Sequence, residues 1–233
     1  MRRLYKTSGT RAEGEGYTVT LDDRPVRTPE RAVLTVPTRP LAEAIAREWG
    51  EQGEKVQPLT MPLMRFATTA IDRVAPRRGA ILDDLAAYGG SDLVCYRAEH
   101  PSELVERQSA CWQPMVDWAA SALDAHLAVT NSLIAVQQPE PAVLAMRRPL
   151  EALDAFGLVA AHTVTSATGS LILTLALLGG RIDGVTAFEL GALDELYGLE
   201  VWGEDREARD RLEAVRETIL AAERLLALAR NPG

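Results

Sequence analysis

The residues best suited to proton chemistry are adjacent carboxylates, at Asp22/Asp23, Asp83/Asp84, Asp194/Glu195 and Glu204/Asp205. Two carboxyls in unlike surroundings can divide the roles of acid and base. On a helix, however, neighbouring residues point about 100° apart, and such pairs usually mark a solvated face or a first turn. Cys95 and Cys111 are the only cysteines, and His100, His126 and His162 the only histidines. None of them falls in a CxxC, HxxxH or HExxH spacing, so no metal centre is expected. The chain has no GxxxxGK[ST] loop, and Lys6 and Lys55 are its only lysines, which leaves nothing to grip a β or γ phosphate. Glycines 14 and 16, and 179, 180 and 184, lack the dinucleotide-binding spacing, and GxSxG and kinase signatures are missing. The residues therefore predict no cofactor and no use of ATP. Were the chain an enzyme with an unrecognised site in its helical part, Cys95 with Asp92 and Tyr96 would be the best seed.

The elements that must position these groups change character along the chain. Tyr17, Val19 and Leu21 alternate with polar residues, Asp22-Asp23 suits a turn, and residues 24–26 return the chain. A third strand is predicted at 33–36, ended by Pro37. Thr38 is placed to cap a helix running to about residue 52, with Pro40 in its first turn and Leu41, Ile45 and Trp49 on its buried face. After the breakers at 53–58, helical spacing predicts helices over 63–74, 77–88, 103–123, 142–150, 153–167, 171–178, 184–202 and 206–229. Pro114 should kink the fourth of the chain's helices and let Trp112 and Trp118 pack inward. The expected fold class is α+β: a small β-rich domain over 1–75, followed by a mostly α-helical, orthogonal-bundle-like domain over 76–233.

Composition narrows the function classes. With 47% apolar and 25% charged residues the chain is an ordinary globular protein. Acids outnumber bases 33 to 25, and bases cluster only in pairs, so nucleic acid is a poor partner. Residues 157–180 carry no formal charge, but His162 and several Ser and Thr interrupt the apolar run, which reads as two buried helices and not as a membrane span. The N-terminal MRRLYKTSGT has no apolar run of a secretory signal. Between Arg181 and Arg206 stand Asp183, Glu189, Asp194, Glu195, Glu200, Glu204 and Asp205 with no base among them. Interleaved with Phe188, Tyr197 and Trp202, they read either as an acidic rim beside aromatic anchors, suited to a protein partner, or as an amphipathic helix with its acidic side in water.

Several blocks of the sequence, in order, resemble the ATP synthase F(1) assembly-chaperone family that acts on the α subunit, the ATP12-like chaperones. They are LDDRPVRTP at 21–29, TVPTRPLAEAIAREW at 35–49, MPL at 61–63, TTAID at 68–72, SDLVCYR at 91–97, PSELVERQSACWQPMVDWA at 101–119, SLILTLAL at 170–177 and LDELYGLEVWG at 193–203. The combination of CYR, WxPxxxWA and a late WG is the specific part.

The resemblance implies a chaperone that hydrolyses no nucleotide and shields a newly made F(1) α subunit until the β subunit replaces it. Without an Arg- and Ser-rich amphipathic leader, a bacterial-type member acting in the cytoplasm is expected. The sequence departs from the family pattern at Met64, Gly198, Arg206 and Arg209, which shifts the acidic patch onto Asp194, Glu195, Glu204 and Glu207. The expected partner-binding residues are Asp194, Glu195, Tyr197, Trp202 and Glu204, with no catalytic, cofactor or metal residues.

Overall fold

The computed structural model describes residues 2–132, 134–203 and 205–230. The chain forms two compact units, one of Met1–Arg78, Asp154–Ala160 and Arg224–Gly233, the other of Gly79–Leu153 and Ala161–Glu223. The fold class is α+β as expected: a small antiparallel sheet near the N-terminus and a mostly helical remainder.

In the first unit β1 (Ser8–Glu13) and β2 (Gly16–Leu21) form a hairpin in the register Thr10↔Val19. The sequence reading missed β1, whose SGTRAE lacks apolar alternation. Asp22 and Asp23 both have positive φ, the geometry of a two-residue hairpin turn, which leads into β3 (Arg24–Pro25). The Asp22 carboxylate accepts from the backbone N–H of Lys6 and of Thr7 at 2.9 Å, and these bonds hold it below the usual carboxylate range. This acid pair is turn architecture. On the same side of β2, β4 (Thr35–Val36) pairs with its first residues, Tyr17↔Val36. A Cβ on Gly16 would stand 2.5 Å from the Val36 carbonyl oxygen, so only glycine lets the two strands close there. Thr18 and Thr20 are buried along with Val19, so β2 is covered on both faces and not only on the predicted one.

Helix α1 (Arg39–Gly50) begins as expected: the Thr38 hydroxyl accepts from Leu41 N–H at 3.2 Å and donates to the Leu228 carbonyl. Leu41, Ile45 and Trp49 are buried. So is Glu48, whose two oxygens accept from the N–H groups of Leu63 and Met64, each at 2.8 Å, at the start of α2 (Pro62–Thr69). A carboxylate there answers the free donors and positive end of a helix N-terminus. The helix expected over 63–74 changes at Ala70–Val74 to a wider π-helical turn.

The second unit contains α3 (Arg78–Tyr88, from Gly79), α4 (Ser102–Leu123), α5 (Glu140–Glu151), most of α6 (Ala155–Thr168), α7 (Leu171–Leu178), α8 (Gly184–Gly191), α9 (Leu193–Trp202) and most of α10 (Arg206–Ala229). The predicted single helix over 184–202 is two, because Ala192 leaves helical geometry at φ −100°, ψ 10°. That break frees the Leu190 carbonyl, which accepts from the Trp112 indole N–H at 2.8 Å. Pro114 lies inside α4. Trp112 is 0% exposed, whereas Trp118 is only half-buried, contrary to the expectation that both would pack inward.

The core of this unit is α7. Asp92, fully buried, accepts from the Ser170 hydroxyl at 2.6 Å and from Ile172 N–H at 2.9 Å, while the Ser170 hydroxyl accepts from Leu173 N–H at 3.1 Å. Burial is the strongest influence on Asp92 and raises its carboxyl to about 6, against the lowering by these donors. Because the folded value exceeds the unfolded one, protonation favours the fold. Stability from this group is greatest below the unfolded value, falls as pH rises between about 4 and 6, and is level above.

Two expectations follow for urea unfolding. Trp112→Ala should lower stability by about 3–5 kcal/mol, and Trp118→Ala by clearly less. The stability of the parent relative to Asp92→Asn should decrease by about 2 kcal/mol between pH of about 4.5 and about 7. A gap that stays constant or widens over that interval would show that Asp92 is not protonated in the fold at the lower pH.

Candidate functional site

The seed for an enzymatic site does not come together as a reactive centre. Cys95 is 0% exposed, and its thiol is pushed up to about 12, first by burial and then by the neighbouring Asp92 charge. A thiol so held is protonated at neutral pH and is a poor nucleophile. Asp92 is spent on the start of α7. Among the described residues no group of three His, Cys, Asp or Glu side chains is arranged to hold a metal ion, and no helix is long and apolar enough to cross a membrane.

The acidic residues of α8–α10 are placed by local rules. Asp183 caps α8 by accepting from Thr186 N–H at 2.8 Å, and Asp205 begins α10 by accepting from Glu207 N–H at 2.9 Å. Asp194 and Glu195 lie in the first turn of α9, where negative charge favours the helix. Both are exposed. Asp194 accepts from the Gln108 carboxamide at 2.8 Å, and Glu195 pairs with Arg211 of α10. Glu200 pairs with Arg107 at 2.8 Å, which holds its carboxyl below the usual range.

The two aromatic residues of α9 differ. Tyr197 is 6% exposed, and the Arg107 guanidinium covers its ring at 5.2 Å from the centroid. It is a packing residue in this structure and offers a partner little surface. Trp202 is 80% exposed, with Val201 beside it also exposed. A Cβ on Gly198 would stand 3.1 Å from the Trp202 ring, so the indole lies across a residue without a side chain. Glu204 lies outside the described residues, and Glu207 is exposed on the first turn of α10.

Sequence reasoning missed what lies beside these acids. Phe188, Leu196, Leu199, Glu200, Arg209, Leu212 and Glu213 line an open groove of about 390 Å³ formed by α8, α9 and α10. The clue available in sequence was that Leu196 and Leu199 share a helix with four apolar neighbours too many for one buried stripe, Leu193, Tyr197, Val201 and Trp202.

Comparison with known proteins agrees with this architecture. The ATP12 chaperone protein family matches residues 2–120. The chain belongs to the ATP12 chaperone family. Membership of this family carries a role as an assembly chaperone for ATP synthase. The crystal structure of Atp12 from Paracoccus denitrificans is 42% identical, with a TM-score of 0.93 over 98% of each chain. A protein of Agrobacterium tumefaciens, 39% identical, also gives 0.93, over 98% of this chain and 86% of that one. Protein atp12, mitochondrial, of Schizosaccharomyces pombe is 23% identical over 221 residues, 90% of this chain and 76% of that protein.

The contrast among the tryptophans is directly measurable. Acrylamide should quench the parent's emission chiefly through Trp202, and Trp202→Phe should remove the larger part of the quenchable fraction and leave only that of half-buried Trp118, since Trp49 and Trp112 are buried. Quenching that persists unchanged in this variant would mean that the indole is covered in solution.

Proposed function

We propose that this chain binds the α subunit of the ATP synthase F(1) sector and keeps it from aggregating until the β subunit joins it. It does so by binding alone, without catalysing a reaction. The observation that carries this reading is the similarity to the ATP12 chaperones along nearly the whole chain, 98% of it at 42% identity. The buried, protonated Cys95 and the structural engagement of Asp92 support a protein without a catalytic centre. The similarity to a Paracoccus protein supports a bacterial setting, in which F(1) subunits meet in the cytoplasm.

The contact surface we infer is the acidic side of α9, with Asp194, Glu195 and Trp202 as its members, Tyr197 supporting it from beneath, and Glu204, two residues further on in sequence, as an added member. Charge on such a surface accelerates encounter with a basic client, and apolar contact then supplies most of the affinity. Exposed ion pairs contribute only about 0–1 kcal/mol each.

Co-expression with the α and β subunits tests the reading. The α subunit should copurify with this chain and the β subunit should not, and the purified protein should hydrolyse no ATP. Replacing Glu195 and Glu204 together by lysine should slow association and weaken protection of the α subunit, with circular dichroism and melting nearly unchanged. Copurification of neither subunit, together with turnover of a small molecule, would favour an enzyme instead. A double variant that protects its client as well as the parent at both low and high salt would move the contact surface elsewhere.

A further inference from the structure

The groove of α8, α9 and α10 has an apolar floor of Phe188, Leu196, Leu199 and Leu212. At about 390 Å³ it stands at the small end of the roughly 300–1,000 Å³ usual for small-molecule pockets, and it is an open groove. Such a space accepts one or two apolar side chains from a segment lying along the surface. Trp202 ends the same helix and is 80% exposed. Tryptophan is the residue type most enriched among the anchors of protein interfaces.

Charge decides what kind of segment fits. Helices α8 and α9 carry Glu189, Asp194, Glu195 and Glu200 and no base. The facing part of α10 is balanced, with Arg206, Arg209, Arg211 and Arg216 against Glu207, Asp210, Glu213 and Glu217. The lining itself has Glu200 and Glu213 against Arg209. The ion pairs of Arg107 with Glu200 and of Arg216 with Glu213 hold the two carboxylates at defined positions. With Arg107 of α4 counted as well, acids still outnumber bases, and the sum is a negative field over an apolar slot, which attracts Lys and Arg and repels Asp and Glu.

We propose that this groove receives an amphipathic segment of the client that places an apolar side chain between Leu196, Leu199 and Leu212 and its flanking Lys or Arg residues against Glu200 and Glu213. The proposal rests on the reading of the chain as a client-binding chaperone, and it adds the surface and the class of segment recognised.

The test titrates the full-length protein against three labelled peptides and follows anisotropy. One is a leucine–lysine amphipathic peptide, one its leucine–glutamate counterpart, and one a leucine–lysine peptide scrambled so that the two residue types no longer segregate. The same protein variants are assayed for copurification of the ATP synthase α subunit. The amphipathic leucine–lysine peptide should bind at least about tenfold more tightly than either of the others. Leu199→Arg and Trp202→Ala should each weaken it about tenfold and reduce copurification in parallel. Leu59→Arg, on a leucine of the first unit that is 82% exposed, should change neither readout.

Because Trp202 is exposed, its loss of binding would not reflect unfolding, which guards against a damaged Leu199 variant. Equal binding of the three peptides overturns the proposal, as does undiminished binding or copurification in the two groove variants. If the peptide pattern holds while the α subunit fails to copurify even with the parent, the groove's preference stands and the identity of the client falls.

Discussion

Helix α7 has no face that can meet water. Every residue from Leu171 to Leu177 is buried, Thr174 included, and a helix apolar all round must be wrapped on every side. Helices α4, α5 and α8 pack around it. The constraint extends to its N-terminus, whose free N–H groups cannot reach solvent and need protein acceptors. Ser170 supplies one from the position just before the helix, and Asp92 supplies another from a short turn 78 residues earlier in sequence. A neutral group could have capped the helix at lower desolvation cost. A carboxylate gains from the helix dipole and from the Ser170 and Ile172 donors, but burial outweighs those gains and raises the carboxyl to about 6.

Filling the interior with α7 leaves the outer surface to α8, α9 and α10, and there two demands conflict. These helices must be polar enough for water, and α9 nevertheless carries apolar residues on more than one side. Leu193 and Tyr197 turn inward, Leu196 and Leu199 border the groove, and Val201 and Trp202 remain in solvent. The acids hold this arrangement through Arg107, Arg211 and Gln108. The surplus of apolar surface is therefore displayed on a braced element and not on a loose one, which limits the order a partner must impose on binding.

Much of this was legible in the residues. The turn at Asp22-Asp23, the Thr38 cap, the boundaries of α7 and the long stripe of α10 all follow from local chemistry that reads out at short range. What sequence could not reveal depends on distant partners. Strand β1 exists because β2 is there to pair with it, and its own six residues show no strand pattern. The break at Ala192 suits Trp112, whose indole needs an acceptor that a continuous helix would not release. The acidic run was visible as charge, but not the fact that Tyr197 lies beneath it and that Trp202 alone of its three aromatics faces solvent. Resemblance to a family supplied the function, and spacing alone would have left an acidic helix with two readings.

The surface also bears on how a client can be both held and given up. An aromatic side chain buries about 150–250 Å² at an interface, worth roughly 4–6 kcal/mol at about 25 cal/mol per Å². Association itself costs an estimated 4–15 kcal/mol or more in lost freedom. Trp202 by itself therefore cannot retain a partner. On the proposed reading, affinity is shared among the indole, the groove and the acidic edge, and loss of any one contact weakens the hold without abolishing it. A competing subunit need not displace the whole chaperone surface at once. It has only to cover the client segments that fill these contacts one after another, each step weakening the remaining hold and speeding release.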